Sequence, residues 1–217
     1  MRANESKFGM WWRWQLYRRW RNERGRKSMY DFRSYIAQLP AGALAIDCGA
    51  NVGDVTAALL KEGLRVIAFE PDPICLAQLH RRFAGDERVT IVPKAVGASS
   101  RRMPLYRQVT RGRPVTEASS FLRMKHHRPE PAGEIEVIDL VEFARTLGEP
   151  ICLLKLDIEG AEAEVLEALL DSGVHRSIQR IFVETHERLD PALAVRIGAI
   201  RGRVSGPDFA HIDLDWQ

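Results

Sequence analysis

The sequence contains few cysteines and no long apolar run. Its 217 residues include three cysteines, which are far apart in the chain and lie in or beside apolar runs. This pattern suits buried thiols in a reducing compartment and argues against a disulfide framework or a zinc site. No run approaches the ~20 apolar residues that a membrane-spanning helix needs, and the N-terminus lacks the apolar core of a signal peptide. These absences predict a cytoplasmic protein.

Positive charge is concentrated in two segments, although the net charge is only +3. Residues 1–30 carry nine Lys or Arg and two acidic residues, and residues 101–128 carry eight and one. The rest of the chain is therefore acidic. Such an uneven distribution indicates an acidic partner or an anionic substrate.

Tryptophan and arginine dominate residues 1–27, which include Trp11, Trp12, Trp14 and Trp20. A basic, aromatic helix is typical of a membrane surface and predicts a peripheral position at the inner membrane face. Because apolar residues lie on more than one side of such a helix, packing on the rest of the chain or on a second subunit is the favoured interpretation. Nucleic-acid binding is a weaker alternative.

A glycine loop between two predicted elements is the first sign of function. Within residues 43–54, an apolar run ends at Asp47, and Gly49 and Gly53 follow before a helical pattern begins. Glycine lets the backbone approach a ligand where a Cβ atom would collide, and the free N–H groups of the next helix favour electron-rich groups. The second apolar run ends at Glu70, which is suited to accept hydrogen bonds from two ribose hydroxyls. Together these features predict a nucleoside-bearing cofactor.

Apolar runs alternate with amphipathic helical patterns along most of the chain. This alternation predicts an α/β fold, a doubly wound, mostly parallel sheet with helices on both faces. We divide the chain into a helical extension over residues 1–40 and a main domain over residues 41–217. Residues 98–136, rich in glycine, proline and arginine, are interpreted as a basic, hairpin-like or loop insertion. One strand, over residues 209–214, ends the chain, so the C-terminal edge of the sheet is expected to be abbreviated or completed by another subunit.

Local signals predict several element boundaries. Asp72 and Asp139 each precede a helical pattern, and their side chains are predicted to cap the helix. A further helix is predicted to start at Asp190 and Pro191. Another helix is predicted over residues 30–39, and a strand over residues 178–183.

Four predicted strands end in an acidic residue, and a histidine follows the last of them. The acids are Asp47, Glu70, Asp157 and Glu184, and the histidine is His186. Ligands of open parallel sheets bind outside the carboxyl ends of the strands, and buried acids need partners, so these residues predict one shared cleft. Three nearby glutamates are interpreted as solvated bystanders: Glu159, Glu162 and Glu187.

The spacing of the glycine loop distinguishes between cofactor classes. The pattern Asp47-x-Gly49-x-x-x-Gly53 lacks the third glycine of a dinucleotide-binding loop. It resembles the cofactor loop of class I S-adenosylmethionine-dependent methyltransferases, in which the loop borders the methionine part of the cofactor and a carboxylate can meet its ammonium group. An NAD-type oxidoreductase with an atypical loop and a non-catalytic cofactor-fold docking module are the alternatives.

Further stretches make the chain similar to the FkbM methyltransferase family. They are residues 46–53, 69–71, 95–97, 155–162 and 183–186. The resemblance covers about residues 43–187 and implies S-adenosylmethionine as methyl donor and O-methylation of a sugar, glycoconjugate or natural-product scaffold. It implies cofactor contacts at Asp47, Gly49, Asn51, Gly53 and Glu70. We add Ala95, because the loop after a third predicted strand, over residues 89–92, is expected to approach the adenine.

Methyl transfer to a hydroxyl requires alignment of the acceptor and removal of its proton. His186 is the leading general base, because an imidazole titrates near neutral pH, and Asp157 and Glu184 are the other predicted catalytic residues. In an alternative mechanism these three side chains bind a divalent ion such as Mg²⁺, which activates the hydroxyl. The spacing of the residues does not decide between the two mechanisms. The acceptor is predicted to be a small molecule or a glycan, and the basic insertion favours an anionic one.

Overall fold

The computed structural model of the protein describes residues 23–110, 113–120, 129–187 and 190–216. The tryptophan-rich residues 1–22, with the predicted membrane or subunit contact, lie outside the described residues. Across the described ranges, no helix combines the length and apolar character needed to span a membrane.

Helices and strands alternate through most of the described chain. The helices are α1 (Glu23–Ile36), α2 (Asp54–Lys61), α3 (Pro73–Arg82), α4 (Leu140–Thr146), α5 (Glu162–Ser172) and α6 (Pro191–Arg203). The strands are β1 (Leu44–Cys48), β2 (Arg65–Phe69), β3 (Val89–Val92), β4 (Ala95–Gly97), β5 (Arg101–Thr110), β6 (Arg113–Ser120), β7 (Pro129–Asp139), β8 (Ile151–Leu156), β9 (Ile181–Val183) and β10 (Ile212–Asp213). Short 3-10 helices span Val174–Ser177 and Pro207–Phe209.

Six strands form the main sheet in the order β10-β9-β8-β1-β2-β3. Every neighbouring pair in this sheet is parallel. Along β1, Leu44 and Ile46 pack into one hydrophobic core and Ala45 into another, because successive side chains of a strand face opposite sides. Helices α4, α5 and α6 contribute to the first core, and α1, α2 and α3 contribute to the second. The predicted α/β fold, a doubly wound parallel sheet with helices on both faces, is confirmed.

A second sheet of four strands has the order β4-β7-β5-β6. β4 pairs with β7 in parallel, and β5 pairs with β6 and β7 in antiparallel orientation. Leu105, Ile135 and Val137 from these strands are buried in the core that α4, α5 and α6 also line. The basic segment that interrupts the alternation is therefore built on strands that pack against the main body of the protein.

Most local boundary signals agree with the structure. Asp72 and Asp139 each accept a hydrogen bond from a backbone N–H of the following first helical turn, as predicted. Asp190 caps the helix that it was predicted to start in the same way. β9 is shorter than predicted, because Ile178 forms only an isolated bridge and the continuous strand begins at Ile181.

Helix α1 begins well before its predicted start at Tyr30 and packs on the sheet. The Phe32 ring meets the Phe182 ring of β9 edge to face, with 5.2 Å between centroids. The Tyr35 hydroxyl donates a hydrogen bond to the carbonyl oxygen of Cys152 in β8 at 2.8 Å. The helix therefore shares a hydrophobic core with the central strands.

The C-terminal edge of the main sheet is short. β10 contains two residues and runs parallel to β9, whereas the predicted strand covered residues 209–214. Residues 207–209 instead form a 3-10 helix, whose dihedrals do not support strand pairing. Among the described residues, no antiparallel strand joins this sheet.

Candidate functional site

The parallel register brings the predicted site residues to one edge of the main sheet. Cys48 at the end of β1 pairs with Phe69 and with Leu156, and Leu156 pairs with Val183. The residues that immediately follow these strand ends are Gly49, Glu70, Asp157 and Glu184. They therefore lie at neighbouring strand ends, where ligands of open parallel sheets bind.

Neighbouring protein atoms leave no room for a side chain at either glycine of the loop. Gly49 has φ +78°, and a Cβ atom there would lie 1.9 Å from the carbonyl oxygen of Asp157. Gly53 has φ +88°, and its Cβ would lie 2.6 Å from the Phe83 ring. No larger residue fits at either position without displacement of the backbone or of a core ring. An additional close approach to a cofactor stays a prediction.

The Asp47 side chain is fully buried and contacts protein groups. Its Oδ2 accepts a hydrogen bond from the Thr56 hydroxyl at 2.7 Å, and its Oδ1 lies 3.2 Å from Lys155 Nζ. A buried carboxylate is tolerated when it is paired in this way. Asp47 therefore supports the glycine loop from inside the protein, and its contact with a cofactor stays a prediction.

Lys155 connects the glycine loop to Asp157. Its buried ammonium group donates hydrogen bonds to the carbonyl oxygens of Gly49 at 2.8 Å and Cys48 at 3.3 Å, and it lies 3.5 Å from Asp157 Oδ2. Burial opposes the charged form, but the carboxylates of Asp47 and Asp157 outweigh it, so the pKa of Lys155 is raised. The side chain is a permanent positive charge between β1 and β8.

Glu70 holds the glycine loop against the start of α3. Its Oε2 accepts a hydrogen bond from the N–H of Asn51, and its Oε1 accepts one from the N–H of Asp72, both at 2.8 Å. Asn51 has φ +51°, in the left-handed region that asparagine tolerates better than most residues. Burial raises the pKa of Glu70 to about 7, although both backbone hydrogen bonds oppose this rise. Two predicted cofactor residues, Glu70 and Asn51, are thus in direct contact.

Ala95 lies in the second sheet. It is buried in β4 and pairs with Val137 of β7. The segment that leads to it begins beside Glu70, whose N–H donates a hydrogen bond to the carbonyl oxygen of Val92 at 3.2 Å. The predicted contact between Ala95 and a cofactor stays a prediction.

His186 is surrounded by four carboxylates and is only 2% exposed. Its Nδ1 lies 3.0 Å from Glu162 Oε1. Its Nε2 lies 3.5 Å from a Glu159 oxygen and 3.9 Å from oxygens of Asp157 and Glu184. We call these five side chains the acidic centre. The structure therefore brings together the three predicted catalytic residues, and it adds two glutamates to them.

The carboxylates determine the protonation state of the imidazole. Burial disfavours a charged ring, but the hydrogen bond and charge of Glu162, together with Glu159 and Asp157, raise the pKa of His186 to about 10. Burial also raises the pKa of Glu159 to about 8, while the charge of His186 opposes this rise. At neutral pH the acidic centre therefore contains a protonated imidazole.

The interpretation of Glu162 and Glu159 as solvated bystanders is wrong. Glu162 is fully buried, and its two oxygens accept hydrogen bonds from the N–H groups of Ile158 at 2.8 Å and Gly160 at 2.9 Å. Glu159 is 22% exposed and faces His186. The turn between β8 and α5 folds back over the first residue of the helix, so acids that look peripheral in the sequence point inward.

A cluster of potential metal ligands lies within the acidic centre. Donor atoms of Asp157, Glu162 and His186 lie within 4.8 Å of one another. This is not the predicted set, which contained Glu184 in place of Glu162. Glu162 already accepts two backbone hydrogen bonds and faces Nδ1, so few of its lone pairs are available to a metal. Metal binding by Asp157, Glu184 and His186 stays a prediction.

Two residues that organise this edge were missed in the sequence. Lys155 interrupts the most apolar strand of the chain, and a buried lysine requires a carboxylate partner, so its position was an available signal. Glu162 begins α5, where an acid is expected simply because of the helix dipole. Because the helix dipole already explains an acid at this position, the sequence offered no reason to expect contacts between Glu162 and the preceding turn or His186.

Comparison with known proteins shows similarity to methyltransferases. The Methyltransferase FkbM domain matches residues 47–214. Methyltransferase sdnD of Sordaria araneosa is 27% identical over 190 residues, which covers 70% of this chain and 70% of that protein.

Two solved structures are similar at lower identity. A TehB-like SAM-dependent methyltransferase from Corynebacterium glutamicum is 16% identical, with a TM-score of 0.38, and the match covers 77% of this chain and 70% of that one. A 1,6-didemethyltoxoflavin-N1-methyltransferase from Burkholderia thailandensis, with bound 1,6-didemethyltoxoflavin and S-adenosylhomocysteine, is 16% identical, with a TM-score of 0.25. That match covers 57% of this chain and 64% of the other.

The family match extends from the glycine loop to the last strand and contains every predicted site residue. It covers residues 47–214, more than half of the chain, and therefore includes both the loop and the acidic centre. The oxidoreductase and docking-module alternatives are no longer needed. The chain belongs to the FkbM methyltransferase family and is an S-adenosylmethionine-dependent methyltransferase.

Proposed function

We propose that the protein transfers the methyl group of S-adenosylmethionine to a hydroxyl of a sugar, a glycoconjugate or a natural-product scaffold. The observation that carries this proposal is the acidic centre, which lies at the strand ends next to the glycine loop. Carboxylates accept hydrogen bonds from hydroxyl groups and can take up their protons. A polyhydroxylated acceptor is therefore a chemical match for this edge of the sheet.

In the proposed reaction, the acceptor oxygen attacks the methyl carbon and the carbon–sulfur bond breaks. The sulfonium becomes the neutral thioether of S-adenosylhomocysteine, and the hydroxyl proton passes to a carboxylate. We assign this proton to Asp157, whose side chain is 19% exposed, because a protonated His186 has no free lone pair at neutral pH. His186 then supplies a positive charge beside Asp157 and Glu184. This assignment transfers the predicted role of base from His186 to Asp157.

The charge of the acidic centre favours a neutral acceptor at the reacting end. With its pKa of about 8, Glu159 is mostly protonated at neutral pH, but three further carboxylates still face the single imidazole. Lys155 adds only one positive charge, which it shares with Asp47. A phosphate next to the reacting hydroxyl would therefore be repelled. If the acceptor is anionic, its negative group should lie away from the acidic centre. The basic side chains of residues 101–128 are suited to bind that group.

The N-terminal segment supports a separate proposal. Residues 1–27 carry the basic and aromatic side chains that would bind an anionic membrane surface or a second subunit. Because α1 begins within this segment and packs on the sheet, such a partner would be held close to the methyltransferase domain. A cytoplasmic position at the inner membrane face is proposed on the same composition.

Calorimetric titration with S-adenosylhomocysteine tests the cofactor site. The wild-type protein should bind, and Glu70→Gln should weaken binding by about 1–3 kcal/mol, because an amide replaces one of the two oxygens that accept hydrogen bonds. Glu62→Gln, at an exposed position after α2, is the matched control and should bind like wild type. A folded wild-type protein that does not bind would overturn the proposed function, and unchanged binding by Glu70→Gln would exclude Glu70 from the site.

Methyl transfer from labelled S-adenosylmethionine to a panel of neutral glycosides tests the acceptor class. Each assay is run with Mg²⁺ and with EDTA. Transfer that persists in EDTA supports proton transfer to a carboxylate, and transfer that requires Mg²⁺ supports the metal alternative. Failure of the whole panel, with the cofactor bound, would contradict a sugar acceptor.

A further inference from the structure

Glu162 occupies an unusual position for the first residue of a helix. Acids in the first turn commonly interact with the helix dipole at the surface. The Glu162 side chain is instead fully buried at the point where the turn after β8 meets the loop after β9. A buried carboxylate is costly unless several donors surround it.

Two of its donors belong to the turn that carries the acidic residues. The N–H groups of Ile158 and Gly160 donate to separate Glu162 oxygens at 2.8 Å and 2.9 Å. These amides flank Glu159, which has φ +55°, a strained conformation for a residue other than glycine. The carboxylate therefore holds both sides of a strained turn.

The third contact joins this turn to another part of the chain. Glu162 Oε1 lies 3.0 Å from His186 Nδ1, across 24 positions of sequence. When Nδ1 carries a proton toward Glu162, Nε2 is turned toward the carboxylates of Asp157, Glu159 and Glu184. One side chain thus determines the orientation of the ring relative to the acids that face it.

We propose that Glu162 is a positioning residue of the methyl-transfer site, which fixes the turn from Asp157 to Gly160 and the His186 ring in one mutual arrangement. The inference rests on the proposed function for its role in turnover, but its structural part can be measured without an acceptor. It predicts that the contacts of Glu162 with the turn and with the His186 ring are coupled. Loss of the carboxylate should therefore change the conformation of both the turn and the ring.

The test compares Glu162→Gln with Glu164→Gln, a matched control on the same helix. Glu164 is 30% exposed and forms an ion pair with Arg101, away from His186. In Glu162→Gln, we expect the ¹⁵N signals of the His186 ring to shift and the amides of Ile158 and Gly160 to exchange faster by about tenfold or more. A glutamine retains only one acceptor oxygen for two amides and the ring. Glu164→Gln should leave all three signals unchanged.

Turnover provides the functional readout, with whichever glycoside of the panel is methylated. Glu162→Gln should lower kcat by about 100-fold, the usual cost of a displaced catalytic group, with KM and the affinity for S-adenosylhomocysteine within about threefold of wild type. A lower kcat with unchanged ring and amide signals overturns the positioning role, as does a wild-type rate in the variant.

A measurement on the wild-type protein covers the case in which Glu162→Gln does not fold. The Nδ1–H proton of His186 should give a downfield resonance with slow solvent exchange, as expected for a buried hydrogen bond to a carboxylate. Absence of that resonance from the folded wild type overturns the inference. Failure of S-adenosylhomocysteine to bind would defeat the proposed function, whereas this resonance reports on Glu162 independently.

Discussion

At the scale of single residues, the buried pair of Asp47 and Lys155 links the predicted cofactor loop to the acidic centre. Lys155 contacts the glycine loop on one side and Asp157 on the other. Removal of one partner from a buried ion pair commonly costs about 3–5 kcal/mol, because the remaining charge has no compensation. The pair therefore makes the geometry of the loop and of Asp157 mutually dependent.

Replacement of Gly49 by alanine should be far more costly than the same change at Gly42. Both have left-handed φ values, +78° and +80°, but the new Cβ at Gly49 would lie 1.9 Å from the Asp157 carbonyl oxygen, and Gly42 has open space. We expect Gly42→Ala to lose about 1–2 kcal/mol from backbone conformation, and Gly49→Ala to lose about 2 kcal/mol more from overpacking.

Urea unfolding of the two variants measures this difference. Gly42→Ala is the control for the left-handed conformation, since it changes the backbone preference without a steric contact. Equal losses at the two positions would show that the β8 end moves away easily, and that the close approach of the strands at Gly49 does not constrain the site.

The acidic residues at the strand ends could be predicted from the sequence. The contacts that Lys155 and Glu162 make next to these residues could not. An acid after an apolar run identifies the sheet edge, because parallel strands place their carboxyl ends together, and this rule located Asp157 and Glu184. The roles of Glu162 and Lys155 were not predicted because each has a decisive partner that is distant in sequence: His186 for Glu162, and the glycine loop for Lys155. Only the register of β1 and β8 shows that Lys155 meets the glycine loop.

At the scale of elements, α1 is part of the second hydrophobic core, which it shares with α2 and α3. Phe32 is buried against Phe182 and Trp216, with ring centroids 5.2 Å and 6.0 Å away. Phe32→Ala should therefore lose about 3–5 kcal/mol of unfolding free energy, through lost burial and the cavity that remains. Tyr30→Ala, on the same helix but 71% exposed, is the control and should change stability by about 0.5 kcal/mol or less.

Chemical denaturation followed by one probe in the sheet and a second probe in α1 measures both α1 variants. If Phe32→Ala unfolds like wild type, α1 is dispensable for the folded domain. If α1 melts in a separate early transition, its contacts with β9 do not couple it to the sheet.

Elements with strong local signals were predicted well. Aspartate caps and long apolar strands depend on neighbouring residues, so the helix starts after Asp72, Asp139 and Asp190 could be read directly. β4 was not predicted, since a strand of three residues forms only because β7 returns beside it. The extension of α1 toward Glu23 likewise depends on tertiary contacts that a local pattern does not report.

At the scale of the whole molecule, the folded protein should lose stability as the pH rises. The pKa values of Glu70, Glu159 and His186 are raised to about 7, about 8 and about 10, in each case above the ordinary value of the group. The folded state therefore binds protons more tightly than the unfolded state. The stability that this contributes is complete at low pH, and it declines as each group loses its proton.

Thermal denaturation at pH 6, 8 and 10 measures this dependence. We expect Tm to fall across the series, and His186→Gln to reduce the fall between pH 8 and pH 10, where the imidazole titrates. His80→Gln, at an exposed position of α3, is the control and should follow wild type. A Tm that rises from pH 6 to pH 10 would contradict the protonated imidazole in the acidic centre.

The pairing of β1 with β8 has a consequence for synthesis of the chain. Lys155 lies 107 positions after its hydrogen-bond partner Cys48. A ribosome that adds about 5–20 residues per second needs roughly 5–20 s to cover that interval. During this time one edge of β1 stays open, and Asp47 has not met its cation. Until β8 emerges, the nascent half-sheet of β1, β2 and β3 therefore has an unpaired strand edge of the kind that can pair with another chain.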